Sequence, residues 1–273
     1  MSLRINTNVS ALTAYQNLSK NQNDMADAIE KLSSGLRINK AADDAAGLSI
    51  SQGLTSQING LTQAVSNAQD GINVAQIADG AMGTSQAILQ RMNTLAVQAA
   101  NSGTQDSDSL TAIQAEITSL NSQLDKISAS TAFGGTKLLD GTYTGKVFQV
   151  GANGNTDDQI TISLDATDST TLGTDGIDVT TDATTAIGTI NDAIKTLSSE
   201  RATLGATQNQ LGYTLTNLQT AITNVTASRS NLTDADLATE VSSMTQAQIL
   251  SQAATSVLAQ ANSAPNSILK LLQ

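Results

Sequence analysis

Four aspartates, Asp165, Asp168, Asp175 and Asp178, are the first residues in this sequence with the chemistry to hold a cation or move a proton. Their spacing argues for something plainer. A calcium loop draws oxygens from alternate positions and closes on a bidentate glutamate, and this stretch has neither the alternation nor the Glu, so it reads as a solvated acidic loop. Gly151-Ala152-Asn153-Gly154 carries the glycines of a phosphate-cradling loop without its Lys-Ser/Thr. It follows a strand pattern without opening a helix, which makes it a hairpin turn. A paired-carboxylate glycosidase would want aromatic platforms, and only Tyr143 and Phe148 stand nearby. The protein has no His and no Cys. That removes imidazole dyads and triads, thiolate nucleophiles, disulfides and Cys/His zinc sites. No catalytic residue, metal or cofactor is expected, and the function is sought in the shape and surface of long elements.

Composition says what those elements are. Of 273 residues, 38 are Ala and five are aromatic (Tyr15, Phe133, Tyr143, Phe148 and Tyr213), so long helices packed through small and aliphatic side chains fit better than a core of large rings. Thirteen Lys+Arg against 24 Asp+Glu leave a formal charge of −11, the wrong sign for a nucleic-acid footprint. Asn6, Asn8, Ser10 and Thr13 interrupt any apolar run behind Arg4, so a cleaved secretory signal is not expected. No stretch approaches the roughly 18 apolar residues of a membrane span. A cytoplasmic protein and one exported without a cleaved signal both fit these facts.

Apolar residues recur at steps of three and four over lengths beyond an ordinary globular helix. The first run is Ile5, Val9, Leu12, Tyr15, Leu18, Met25, Ile29, Leu32 and Leu36, a heptad-like seam. The second passes from Ile50 through Leu61, Ala68, Ala75, Met82 and Leu89 to Ala99 without a proline, which predicts a helix of about 85 Å. Asn101-Ser102-Gly103-Thr104 breaks it, and Leu110, Ile113, Ile117, Leu120, Leu124 and Ile127 predict a return helix. Between about 131 and 185 the period changes: Ile160, Ile162 and Leu164 alternate with polar residues and Phe148 and Val150 flank Gln149, so short strands are expected. Asp140 to Asp182 holds eight Asp against Lys146, the mark of a solvated outer face. Helical spacing resumes at Ile190, with Arg201 and Gln208 at positions where an apolar residue was due. Asn231-Leu232-Thr233-Asp234 is expected to start the last helix, which carries Leu237, Val241, Met244, Leu250 and Val257 toward Pro265. The fold class that follows is mainly α: a long antiparallel helical bundle or coiled coil with paired N- and C-terminal helices and a small β-hairpin region in the middle.

The two ends are expected to need neighbours. Each is a helix with a narrow apolar stripe, and at about 25 cal/mol per Å² a thin two-helix seam barely offsets roughly 1.5 kcal/mol of ordering entropy per residue. Residues 1–42 come out near +2 and residues 233–273 near −2, which biases register without holding the pair together. Such ends are marginal alone and become rigid when copies pack side by side, a process that alanines such as Ala253, Ala254 and Ala261 permit at close range. The alternative on spacing alone is a monomeric bundle whose ends cap each other.

Particular blocks now point to a family. Ala28-Ile29-Glu30-Lys31-Leu32-Ser33-Ser34-Gly35-Leu36-Arg37-Ile38-Asn39 followed by Ala42-Asp43-Asp44-Ala45-Ala46-Gly47-Leu48-Ser49-Ile50, and the block Leu89 to Gln98, resemble the N-terminal signature of bacterial flagellins. Asp234 to Val241, Ala247-Gln248-Ile249-Leu250 and Ala254 to Asn262 resemble the C-terminal one. The resemblance covers about the first 140 and last 85 residues. It implies a non-enzymatic, self-assembling filament subunit for motility, secreted to the extracellular flagellum, with 1–42 plus 233–273 as a coiled-coil inner domain and 43–232 as a helical rod domain. Large outer domains are missing, so this is a short form.

On that resemblance the assembly residues are Ile5, Val9, Leu12, Leu18, Ile29, Leu32 and Leu36 at one end, and Leu237, Val241, Met244, Leu250, Val257, Leu258, Ile268, Leu269 and Leu272 at the other. Implied partners are further copies of the same protein, an export chaperone and the type III export apparatus, and the filament cap and hook-junction proteins. A vertebrate Toll-like receptor is also implied, at a patch that matches Gln90, Arg91, Leu95 and Glu116. Asn93, Thr94 and Gln210 depart from the sensed pattern, and Arg91 and Glu116 equally suit contacts between subunits. The alternatives are a hook-filament junction protein of the same superfamily and a secreted helical adhesin.

Overall fold

The computed structural model describes the backbone of residues 7–271 and the side chains of residues 7–263. Five α-helices carry most of it: α1 (Val9–Ser34), α2 (Ala45–Ala99), α3 (Ser107–Ser130), α4 (Ala183–Thr233) and α5 (Leu237–Leu271). Between α3 and α4 lie β1 (Ala132–Phe133), β2 (Thr136–Lys137), β3 (Lys146–Gln149) and β4 (Gln159–Ile162). Two compact units result, Met1–Ser56 with Asn224–Gln273, and Gln57–Thr223. Among the described residues no helix is long and apolar enough to cross a membrane.

An Asn or Asp begins each helix. Asn8 accepts the Ala11 N–H at 3.0 Å, Asp44 that of Gly47 at 2.8 Å, Asp106 that of Ser109 at 2.8 Å, Asp182 that of Thr185 at 3.0 Å and Asp236 that of Ala238 at 3.0 Å. Each satisfies a donor that the first helical turn leaves unpaired. The last of these corrects the expected start of α5. Asn231-Leu232-Thr233 is the end of α4, and the cap sits at Asp236. α5 also carries on past Pro265 as helix, where the sequence had suggested a tail.

The helical periods match the expected core closely in the Gln57–Thr223 unit. Along α2 the inward positions are Leu61, Ala64, Ala68, Gly71, Ala75, Ala78, Met82, Ser85, Leu89, Met92, Ala96 and Ala99, alternating steps of three and four throughout. Ile113, Ile117 and Leu124 of α3 and Ile190, Leu197, Leu204 and Leu211 of α4 join them in one buried cluster. The helices meet through small residues along the first half of α2 and through larger ones from Met82 onward.

The strands form two antiparallel pairs. β1 pairs with β2 across Gly134-Gly135, and β3 with β4 in the register Lys146 to Ile162, Phe148 to Ile160. The second pair and its loop at 151–158 match the alternating pattern; the first is too short for periodicity to reveal. The acidic segment is not simply an outer face. Its aspartates are outside, but Leu138, Leu139, Tyr143, Ile162, Leu164, Leu172, Ile177 and Val179 turn inward and are buried in the same cluster as the helices. Their spacing follows no single period, because an irregular backbone places each apolar side chain by its own turn, and so the sequence pattern did not disclose it.

In the Met1–Ser56 unit, the first turn of α2 is crowded at one glycine. Gly47 lies so close to the cap that a methyl group there would sit 2.4 Å from Asp44 Oδ2 and 2.8 Å from Ile38 Cδ1. Gly47→Ala is therefore expected to displace the Asp44 carboxylate and lower stability by about 1 kcal/mol, the usual value of a helix cap, as read from the urea midpoint. An unchanged midpoint would show that the close approach carries no constraint.

Candidate assembly surface on the terminal helices

α1 and α5 run antiparallel. Asn8 Nδ2 at the start of α1 donates to the Ala261 carbonyl at 2.8 Å, and at the other end Lys31 Nζ meets Glu240 Oε1 at 3.7 Å. Beyond α1 the backbone is stitched to the junction between α4 and α5. The Arg37 N–H donates to the Thr233 carbonyl at 2.7 Å, the Arg37 guanidinium to the Leu232 carbonyl at 2.6 Å and the Ala235 N–H to the Gly35 carbonyl at 3.0 Å. Gly35, at φ 72°, adopts the left-handed conformation that ends α1, and its N–H returns to the Lys31 carbonyl at 2.8 Å. Thus Ser34-Gly35-Leu36-Arg37 and Leu232 to Ala235, far apart in sequence, form one joint.

The seam between the two helices is thin. On α1 the covered positions are Ala11, Ala14, Leu18, Asn21, Met25, Ala28 and Leu32; on α5 they are Glu240, Met244, Ala247, Ser251, Ala254, Leu258 and Ala261. Both series alternate steps of three and four, the heptad geometry of a coiled coil. Only Ala14, Ala28 and Ala247 are fully buried.

This divides the expected assembly residues in two. Leu18, Leu32, Met244 and Leu258 are half-buried in the seam. Val9 (61% exposed), Leu12 (55%), Ile29, Leu36, Leu237, Val241, Leu250 and Val257 (57%) lie outside it with their side chains in solvent, as do Tyr15 and Ile249, which are not among the expected assembly residues. Ile5 and Leu272 lie outside the described residues, and the side chains of Ile268 and Leu269 are likewise outside them. The single seam drawn from the sequence therefore merges two faces of α1, because Leu18, Met25 and Leu32 point toward α5 while Val9, Leu12, Tyr15 and Ile29 do not. Large apolar residues are on the open face, while the closed seam mixes Leu and Met with alanines. Large exposed apolar patches mark sites of association.

Of the second group of expected residues, Gln90, Arg91 and Glu116 are at the surface of the Gln57–Thr223 unit, and Leu95 is 2% exposed and part of its core. Arg91 Nε and Nη2 both reach Glu116 Oε1, at 2.9 and 2.7 Å, joining α2 to α3. Exposed pairs of this type contribute about 0–1 kcal/mol.

Two columns of polar side chains escaped the sequence reading. Asp79, Gln86 and Asn93, seven residues apart on α2, bond Arg201, both Arg201 and Ser198, and Asn191 of α4; the Arg201 Nε–Asp79 Oδ1 distance is 2.8 Å. On α3, Gln114, Asn121 and Ser128 repeat the interval. Gln114 donates to the Ile177 carbonyl and accepts from the Val179 N–H, Asn121 donates to the Thr174 carbonyl, and Ser128 donates to the Leu139 carbonyl. These side chains satisfy the backbone of the irregular segment where no strand or helix can. A heptad spacing of polar side chains on otherwise apolar seams is the signal that would have found them.

Electrostatics at the helix starts sets an acid limit. Hydrogen bonds from the Ser109 and Thr185 hydroxyls, then from the backbone N–H groups, hold the Asp106 and Asp182 carboxyls below the usual range, and the Ala238 N–H does the same for Asp236. A carboxyl with a depressed folded-state pKa stabilises the fold fully at neutral pH and loses that contribution as the pH falls through the folded value. The melting temperature is therefore expected to hold near neutrality and to fall below about pH 4, where free aspartate titrates, and Asp182→Asn should flatten that fall. A melting temperature that rises on acidification would contradict this. Glu200 works in the opposite sense: burial first, and the Asp165 carboxyl second, raise its pKa, so its protonation on acidification relieves a cost.

Residues 5–144 match the bacterial flagellin N-terminal helical region and residues 187–272 the bacterial flagellin C-terminal helical region. The flagellin of Bacillus subtilis (strain 168) is 43% identical over 306 aligned positions, covering 99% of this chain and 100% of that protein. That of Halalkalibacterium halodurans is 42% identical, covering 98% and 99%. The crystal structure of Bacillus cereus flagellin aligns over 56% of this chain and 88% of its own, at 30% identity and a TM-score of 0.49.

Proposed function

Because the chain belongs to the bacterial flagellin family and is a structural subunit of the flagellar filament, we propose that residues 1–42 and 233–273 are its inner assembly domain. In this reading 43–232 forms the next shell, with the acidic β-rich segment at about 131–185. The observation that carries the proposal is the open face of α1 and α5, where Val9, Leu12, Tyr15, Val241, Ile249 and Val257 remain in water although the two helices are already paired along the seam beside them. Neighbouring copies supply the missing apolar surroundings, and the marginal terminal pair becomes rigid as they do.

The same reading extends to partners. Export in a loosely organised state through a type III apparatus, with a chaperone on the C-terminal helix, fits terminal helices with so thin a seam. The filament cap and hook-junction proteins then meet the same apolar faces. Gln90, Arg91 and Glu116 form the exposed part of a surface suited to a vertebrate Toll-like receptor, and Leu95 supports it from beneath.

Charge placed on the open face tests the central claim. Leu12→Asp or Val257→Asp is expected to slow elongation of seed filaments at least about tenfold, since an unpaired carboxylate buried between copies costs several kcal/mol. Each leaves the helicity of the free protein unchanged, because both positions are already in solvent. Normal elongation by both variants in negative-stain microscopy would overturn the assignment of this face.

A further inference from the structure

Two Asn-Gly pairs occur in the sequence, Asn59-Gly60 and Asn153-Gly154, and the fold treats them oppositely. An asparagine followed by glycine is prone to one reaction above others, because the next residue has no Cβ to obstruct approach of its backbone nitrogen to the asparagine side chain. That approach requires the backbone between them to swing out of regular structure, and it requires water.

Asn59 lies inside α2, where every residue is fixed near helical angles and the following amide is tied into the helical ladder. Gly60 is also packed: a methyl group there would sit 3.0 Å from Ala152 Cβ. Asn153 and Gly154 are instead exposed in the loop between β3 and β4, outside helix and strand. A methyl group at Gly154 would meet nothing within 4 Å. The Asn153 carbonyl accepts a hydrogen bond from Gln149 Nε2 at 2.6 Å. A hydrogen bond to a peptide oxygen draws electron density from the peptide nitrogen, and the Gly154 N–H becomes easier to ionise.

We propose that Asn153 is a site of spontaneous deamidation in the folded protein and that Asn59 is not. The Gly154 nitrogen attacks Asn153 Cγ; a C–N bond forms, the Cγ–Nδ2 bond of Asn153 breaks, and the proton lost by the Gly154 nitrogen leaves on ammonia. Water then adds to one of the two carbonyls of the resulting five-membered imide. The ring C–N bond breaks with a proton returned to nitrogen, leaving aspartate or, if the other carbonyl is attacked, isoaspartate. No oxidant or reductant is involved. The product sets a new carboxylate beside Asp157 and Asp158 on the wall of a polar cavity of about 360 Å³. The Asn153 N–H already points at Asp158 Oδ2, 3.3 Å away, so the change adds repulsion inside the loop, and the isoaspartate form also lengthens its backbone.

The test is peptide mapping by mass spectrometry of the full-length protein held at mildly alkaline pH, folded and in concentrated urea. Folded protein is expected to gain the amide-to-acid mass difference in the peptide containing Asn153 at least about tenfold faster than in that containing Asn59, the ratio set by the cost of opening the helix locally. In urea the two rates converge, and Gly154→Ala suppresses the folded-state signal. A folded-state ratio below about tenfold, or a ratio unchanged in urea, overturns the proposal.

Discussion

Deleting residues 1–42, or residues 233–273, is expected to abolish elongation of seed filaments while leaving a soluble helical protein. Either deletion removes one side of a seam in which Ala14, Leu18, Ala28 and Leu32 face Met244, Ala247 and Leu258, and the remaining helix then has no intramolecular partner. A lone helix of α1's 26 residues with so narrow an apolar stripe is marginal in water. The Gln57–Thr223 unit does not share this dependence. Its buried cluster runs from Ala68 to Leu211 and draws on α2, α3, α4 and the strand region, all inside the unit. Circular dichroism of the trimmed protein should therefore retain the helical signal of that unit, and negative-stain microscopy should show seeds that do not lengthen. Trimmed protein that still elongates seeds would mean that assembly is carried by the remaining residues.

The second large effect is expected in that cluster. Leu89 is fully buried among α2, α3 and α4 side chains, and Leu89→Ala is expected to cost about 2–5 kcal/mol, combining lost transfer energy with the cavity left behind. Val97, on the same helix and 53% exposed, provides the control: Val97→Ala should stay within about 0.5 kcal/mol. The comparison is made on urea unfolding followed by circular dichroism. A loss at Leu89 no greater than that at Val97 would show the cluster to be loosely packed. The large cost is expected because Leu89 is packed among other fully buried large side chains, such as Met82 and Met92, and a close-packed interior relaxes only partly around a void.

Several features were legible in the order of residues. The absence of His and Cys directed attention from catalysis to surface. The steps of three and four along α2 and α3 named their inward faces, and the alternation at Ile160 and Ile162 located a hairpin. The terminal signature blocks identified the family. Local rules suffice for these because a long helix or a strand repeats its own geometry, so the pattern survives whatever it packs against.

Tertiary structure decided the rest. The spacing on α1 admits two apolar faces, Ala11-Ala14-Leu18 and Val9-Leu12-Tyr15, and only the position of α5 shows which is covered. The fold covers the first and leaves the second in solvent. Leu172, Ile177 and Val179 lie inside an acidic segment, where composition argued for solvent. Their burial depends on Gln114, Asn121 and Ser128, which hold the intervening backbone from a different helix. Gly47 is crowded by a carboxylate three residues earlier, and Asn153 differs from Asn59 only in what surrounds it. In each case the deciding contact joins groups whose relation is set by the path of the backbone and not by period, and burial, unlike helical propensity, belongs to no residue until its neighbours are in place.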